Sequence, residues 1–290
     1  MKKLIIIFLG FLLLIGFNNK KLQAQDVLDG IYVKEHVPAR KPIPYYYLRE
    51  SDVTWSKRIW RMLDLREKIN HPLYFPSVPY EEQPLNDRYS LICLLLHGVE
   101  KEGLIVYDAA MDDQFQVPLA PDELQSNMGG GVDSIEVEDM ETFEITINVQ
   151  AREQRVDEVQ RLMLKEEWFF DKQRSQLSVR IIGLCPIRAY YKEDDEDKEN
   201  LTMKQIMWVY FPSVRHLFAN HEVFNPFNDA ERRTYEDIFF KRRFHSYIYR
   251  ETNVYDNRRI GQYREGLDAL LESEKIKESM FKFEHDLWEF

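Results

Sequence analysis

The chain has 290 residues, of which 44% are hydrophobic and 31% charged, with a formal net charge of -11 at pH 7. Two cysteines are too few for a scaffold built on disulfides, and the acidic balance opposes generic attraction to nucleic acid. The length suffices for one large or two modest domains with ordinary hydrophobic cores.

Lys2 and Lys3 precede an apolar run over residues 4–17, and Leu22-Gln23-Ala24-Gln25 offers a small residue at a cleavage position. Residues 1–24 therefore read as a secretory signal peptide, with a mature chain that starts at Gln25. The apolar run is shorter than the roughly 20 residues of a comfortable bilayer span. The first cysteine is Cys93, so no lipid attachment is expected at the amino terminus. Cleavage removes four lysines and no acid, which takes the net charge from -11 to -15. In an oxidising compartment Cys93 and Cys185 can form one bridge or remain buried thiols, since both stand in apolar stretches.

Residues 25–50 carry Pro38, Pro42 and Pro44, which interrupt any helix and favour extended backbone. They form an arm whose Ile31, Val33, Ile43 and three consecutive tyrosines need a surface, either of their own domain or of a neighbour. Ser51 or Asp52 can then cap a helix that stops near Asn70, before Pro72. On that helix Ile59, Met62, Leu63, Leu65 and Ile69 share an apolar arc of about 160°. Arg66 points into the arc and is expected to hold a carboxylate or carbonyl partner. Trp60 points the other way, among Asp64 and Glu67, as a partner-docking anchor would.

Asn86 or Asp87 is the expected cap of a second helix through residues 88–100, followed by a buried strand at "LIVYD" and a helical turn starting at Pro121. Gly129, Gly130 and Gly131 read as a flexible joint over 129–134 that separates an α/β half (51–128) from an α+β half (135–261). In the second half a strand surrounds Phe143, Ile145 and Ile147, and an amphipathic helix covers residues 153–173. Two strands, "SQLSVRIIGLCPIRAYY" and "LTMKQIMWVYFP", follow as a hairpin joined by an acidic connection. A short helix at 213–221 precedes a longer one from Thr234 through Arg250, with Asp237 completing a capping box. Residues 262–290 are a helical tail. Phe281, Phe283, Leu287, Trp288 and Phe290 give it more apolar area than a chain end normally exposes, which marks a partner-docking element. The fold class expected is α+β, with mixed helices and short antiparallel strands, an extended N-terminal arm and a helical C-terminal region.

No catalytic set emerges from the motifs. The glycine triplet lacks the Gly-Lys-Ser/Thr of a phosphate loop, and no serine occupies a Gly-x-Ser-x-Gly elbow. His221-Glu222 begins like a zinc-protease helix, but Asn225 stands where the second histidine is required. The acidic run 193–199 lacks the turn glycine and the spacing of a calcium loop. No cofactor and no metal are expected.

Several blocks in order along the mature chain carry a resemblance: "DGIYVKEHVPARKPIPY", "WSKRIWRMLDLREKINHPLYFP", "DKQRSQLSVRIIGLCPI", "TYEDIFFKRRFHSYIYRETNVYDNRRI" and "ALLESEKIKESMFKFEHDLWEF". Together they resemble the GldN/PorN family of gliding motility and secretion proteins. The resemblance implies a non-enzymatic periplasmic component of the type IX secretion system of Bacteroidota. It implies a multimeric ring with a GldK/PorK-type outer-membrane lipoprotein, contact with a GldM/PorM-type inner-membrane motor, and neither nucleic-acid binding nor direct membrane insertion. A soluble periplasmic glycan-binding protein or envelope-glycan hydrolase is the competing class.

Overall fold

Residues 53–64, whose apolar spacing suits a helix, are instead a central strand, and most of the architecture follows from that difference. The computed structural model describes residues 40–77, 88–110, 113–138, 145–152, 154–192, 200–228 and 230–287, with backbone alone at 132–138 and 145–151. In chain order the elements are β1 (Val53–Asp64), α1 (His71–Tyr74), α2 (Leu91–Lys101), β2 (Val106–Tyr107), α3 (Pro121–Asn127), β3 (Gly131–Glu138) and β4 (Ile145–Arg152). There follow β5 (Val159–Asp171), β6 (Gln176–Tyr191), β7 (Leu201–Gln205), β8 (Trp208–Tyr210), α4 (Phe211–Asn220), β9 (Glu222–Val223), β10 (Arg233–Thr234), α5 (Tyr235–Phe240), β11 (Tyr247–Glu251) and α6 (Gly266–Asp286). The fold is α+β.

One antiparallel sheet runs in the order β11-β1-β5-β6-β8-β2, with β7 added to β6, and separate two-stranded ribbons join β3 to β4 and β9 to β10. β1 pairs with β5 on one side and β11 on the other, and Ile59, Trp60, Arg61, Met62 and Leu63 are all buried. A strand buried on both faces shows a continuous apolar run, which periodicity does not separate from a buried helix. The helix expected at 153–173 is corrected for the same reason: its core is β5, laddered to β1 and β6 along its length.

The charges of β1 and β5 that suggested exposed helix faces are paired instead. Arg61 donates to the hydroxyl of Ser246 at 2.7 Å and to its carbonyl at 3.0 Å. Glu166, fully buried, accepts from Arg242 at 2.8 Å and from the Trp168 indole at 3.0 Å. Buried polar groups persist in a core when they are satisfied in this way.

Alternation divides the sheet side chains between two faces. Leu63, Leu162, Leu164 and Leu184 point to the main core, where α2, α4 and α5 supply Leu94, Leu95, Phe218 and Phe239. Trp60, Met62, Met163, Cys185 and Ile187 point to the other face. Cys93 and Cys185 are both buried and form no disulfide, and burial pushes each thiol pKa upward.

Local signals account for the helix ends. The Ser90 hydroxyl accepts from the Cys93 amide at 3.2 Å and caps α2; Asn86 and Asp87, the expected caps, lie outside the described residues. Thr234 and Asp237 form the capping box of α5. That helix ends ten residues earlier than expected, because Arg242 adopts a left-handed φ of 52° and the Arg243 amide closes back on the Ile238 carbonyl at 2.9 Å. The chain is thereby released to form β11 at the sheet edge.

The glycine triplet is also corrected. Gly129 has φ 80°, its amide bonds to Ser126, and the Gly130 amide bonds to the Gln125 carbonyl at 2.9 Å. This is the closing motif of α3. Strands from both sides of it lie in one sheet, and Ala39–Phe290 form one compact unit, so Gly129 and Gly130 close a helix and residues 131–134 open β3, with no joint between halves there. Phe143, like residues 193–199, lies outside the described residues.

Candidate partner-docking surfaces

Only residues 40–50 of the arm are described, and they are clamped by arginines of the same unit. Arg215 lies over the Tyr45 ring at 4.0 Å and Arg174 over the Tyr46 ring at 3.4 Å. Arg180 donates to the Tyr46 carbonyl at 2.7 Å. Arg215 is itself held by the buried carboxylate of Glu236. Cation–ring contacts of this kind strengthen when desolvated. Tyr45 and Tyr46 thus serve the chain's own unit, while Tyr47 points to solvent.

Trp60 was expected on a polar surface, and the structure corrects that expectation. Its side chain is 4% exposed, and its indole donates to the Asp113 carboxylate at 2.6 Å. The same oxygen accepts from Arg250 at 2.6 Å, and the Arg250 guanidinium covers the Trp60 ring at 3.7 Å. Buried Lys165, directly across from Trp60 on β5, donates to the Asp113 backbone carbonyl. Asp113 therefore anchors the segment between β2 and α3 onto the sheet. Phe115 packs so tightly over Gly183 of β6 that a Cβ there would stand 2.5 Å from its ring. The position that looked free for a partner is filled by the chain itself.

Arg66 moves the opposite way, from an expected interior to the surface. It sits in the turn after β1 and pairs with Asp64 at 2.6 Å, so the expected carboxylate partner is present but in solvent. The hydrogen bond from Arg66 holds the Asp64 pKa below the usual carboxylate range, against some desolvation.

The expected tail helix is observed as α6, and its residues divide by face. Ile276 and Met280 pack against Ile59, Ile248 and Ile260, and the Ser273 hydroxyl accepts from the Ile248 amide at 2.8 Å. Phe283 stacks on Trp55 with centroids 4.8 Å apart and is therefore engaged within the chain. Phe281 is 66% exposed and Leu287 is also exposed; Trp288 and Phe290 lie outside the described residues.

Three residues that sequence reasoning missed complete the outer face. Leu267, at 70% exposure, Leu270 and Leu271 are all open to solvent. At 100° per residue they share with Phe281 an arc of about 100°, opposite to Ile276 and Met280. Glu274 and Glu278 lie on this arc and pair with Lys277 at 3.4 Å and Lys282 at 2.9 Å. α6 is thus apolar on two opposite sides, one of which the sheet covers. A helical projection of 266–286 contains that signal, but the aromatic density of the last ten residues obscured it.

The second face of the sheet also carries a cleft of about 700 Å³, lined by Met62, Met163, Ile187, Arg161, Tyr247 and Tyr249. Among the described residues no helix is long and apolar enough to cross a membrane. The family model described as "Gliding motility associated protein GldN" matches residues 48–289, which is nearly all of the described structure. No curated protein matches the chain.

Proposed function

The chain belongs to the GldN family, and from this membership we propose that it is a non-enzymatic periplasmic scaffold of the type IX secretion system, supporting protein secretion and gliding motility. In this reading it forms a ring-like complex with a GldK/PorK-type lipoprotein at the inner face of the outer membrane. It also contacts a GldM/PorM-type motor protein from the inner membrane. The family match over residues 48–289 carries the proposal. The two-sided α6 supports it, because an apolar stripe facing away from the core suits a protein that works in an assembly. The candidate contacts are Leu267, Leu270, Leu271 and Phe281, with Leu287, Trp288 and Phe290 as the tail's contribution.

Co-purification from envelopes solubilised in mild detergent tests the reading. The tagged chain is expected to elute in a large complex with the lipoprotein, and intact mass is expected to place its first residue at Gln25 without acyl addition. A monomer that retains envelope glycan, bound in the 700 Å³ cleft, would instead establish the glycan-binding class.

A further inference from the structure

His221 stands alone in the sequence, since Asn225 occupies the position of the second histidine in a zinc-protease helix. The fold brings a second ring from 124 residues earlier in the chain. His97 lies in the last turns of α2, Glu102 is the C-cap of that helix, and His221 is the C-cap of α4. One ring nitrogen from each histidine and a carboxylate oxygen of Glu102 lie within 4.8 Å of one another. We propose that His97, Glu102 and His221 form a binding site for one divalent transition-metal ion, with Zn²⁺ the best match.

Donor chemistry and geometry both support this assignment. Two imidazoles and one carboxylate suit zinc and its neighbours, whereas calcium and magnesium favour all-oxygen sets. With nitrogen about 2.0–2.1 Å from zinc, two ligand rings at the tetrahedral angle have centres about 5 Å apart. The His97 and His221 ring centres are 5.9 Å apart, so a small side-chain rotation closes the set. Tyr89 packs against both rings, at 5.5 Å and 5.9 Å, and restricts their orientation. His216 Nε2 stands 3.4 Å from the Glu102 carboxylate and can orient it from behind, as partners of metal ligands do.

The helices add a field of the right sign. α2 and α4 both end at this cluster, and the partial negative charge of a helix C-terminus favours a cation. An ion held here would tie two helices of the main core together. Glu102 is exposed, which leaves solvent access for a water as fourth ligand.

The test uses the mature chain stripped with a chelator and titrated calorimetrically with ZnCl₂. One equivalent is expected to bind at micromolar concentration or tighter and to raise the melting temperature, with reversal by EDTA. His97→Ala, His221→Ala and Glu102→Gln are each expected to weaken binding by at least about tenfold. Glu102→Gln alters an exposed side chain and keeps the test valid if a histidine variant fails to fold. His245→Ala, which removes a surface histidine paired with Glu67 at 2.6 Å, is expected to bind zinc normally. X-ray absorption is expected to show nitrogen and oxygen neighbours at about 2.0–2.1 Å. Absence of saturable zinc binding overturns the proposal. So does binding that survives all three substitutions, or Ca²⁺ or Mg²⁺ binding that matches zinc.

Discussion

β1 and α6 both present aromatic and apolar residues among many charges, yet they end in opposite environments. In β1 the buried charge, Arg61, is held by Ser246, and Trp60 is sealed by Asp113 and Arg250. In α6 the ion pairs are exposed, and four large apolar side chains on the outer arc are about half exposed or more. An aromatic beside charges therefore says little about docking. What separates the cases is whether another segment of the chain supplies a complement: the segment around Asp113 does so for Trp60, and among the described residues nothing equivalent faces Leu271.

The largest effect that separates the two regions is expected from Trp60→Ala. Removing this buried ring should destabilise the isolated protein by about 4 kcal/mol, as for large aromatic truncations in cores. Urea unfolding of the variant measures it. A loss below about 1 kcal/mol, together with loss of partner binding, would return Trp60 to the role of a surface anchor.

The inner face of α6 comes next. Met280→Ala, at a buried position against Ile59 and Ile248, should cost about 2 kcal/mol. Unchanged stability would show that α6 is not docked on the sheet.

Arg66→Ala should cost less than about 1 kcal/mol, because its ion pair with Asp64 lies in solvent. The sign of its pH dependence follows from the depressed Asp64 carboxylate. The contribution is fully present above the unfolded pKa of about 3.9 and disappears as pH falls through the lower folded value. Paired melts at neutral and strongly acidic pH check this: the difference between wild type and variant should be present at the former and absent at the latter.

The smallest effect on the isolated protein is expected on the outer face. Leu271→Glu combined with Phe281→Glu should change stability by less than about 0.5 kcal/mol, as exposed substitutions usually do. The same double variant should lose recovery of the large complex from solubilised envelopes. Full recovery would remove the outer arc from the docking surface.

Some of these features are legible in the sequence. The capping box at Thr234, the apolar run of α2 and the pairing of β6 with β7 rest on local chemistry, and each stands where expected. The length of α6 is legible too, because its helix-favouring residues continue without interruption from Gly266. The clamp on the arm was not legible, since Arg174, Arg180 and Arg215 come from segments more than 120 residues away from Tyr45. The pairing of His97 with His221 is hidden for the same reason.

The sequence by itself determined the class of the fold, the family, and those elements whose bonds close within a few residues. The tertiary structure alone decided that β1, β5 and β11 are strands, that Trp60 is interior and that Arg66 is exposed. A helix satisfies its amides four residues away, so its signals sit beside its bonds. β1 finds its partners in Asp171 to Arg161 and in Tyr247 to Glu251, between 97 and 192 residues along the chain. Only when those partners arrive does a run of tryptophan, isoleucine, methionine and leucine become the middle of a sheet.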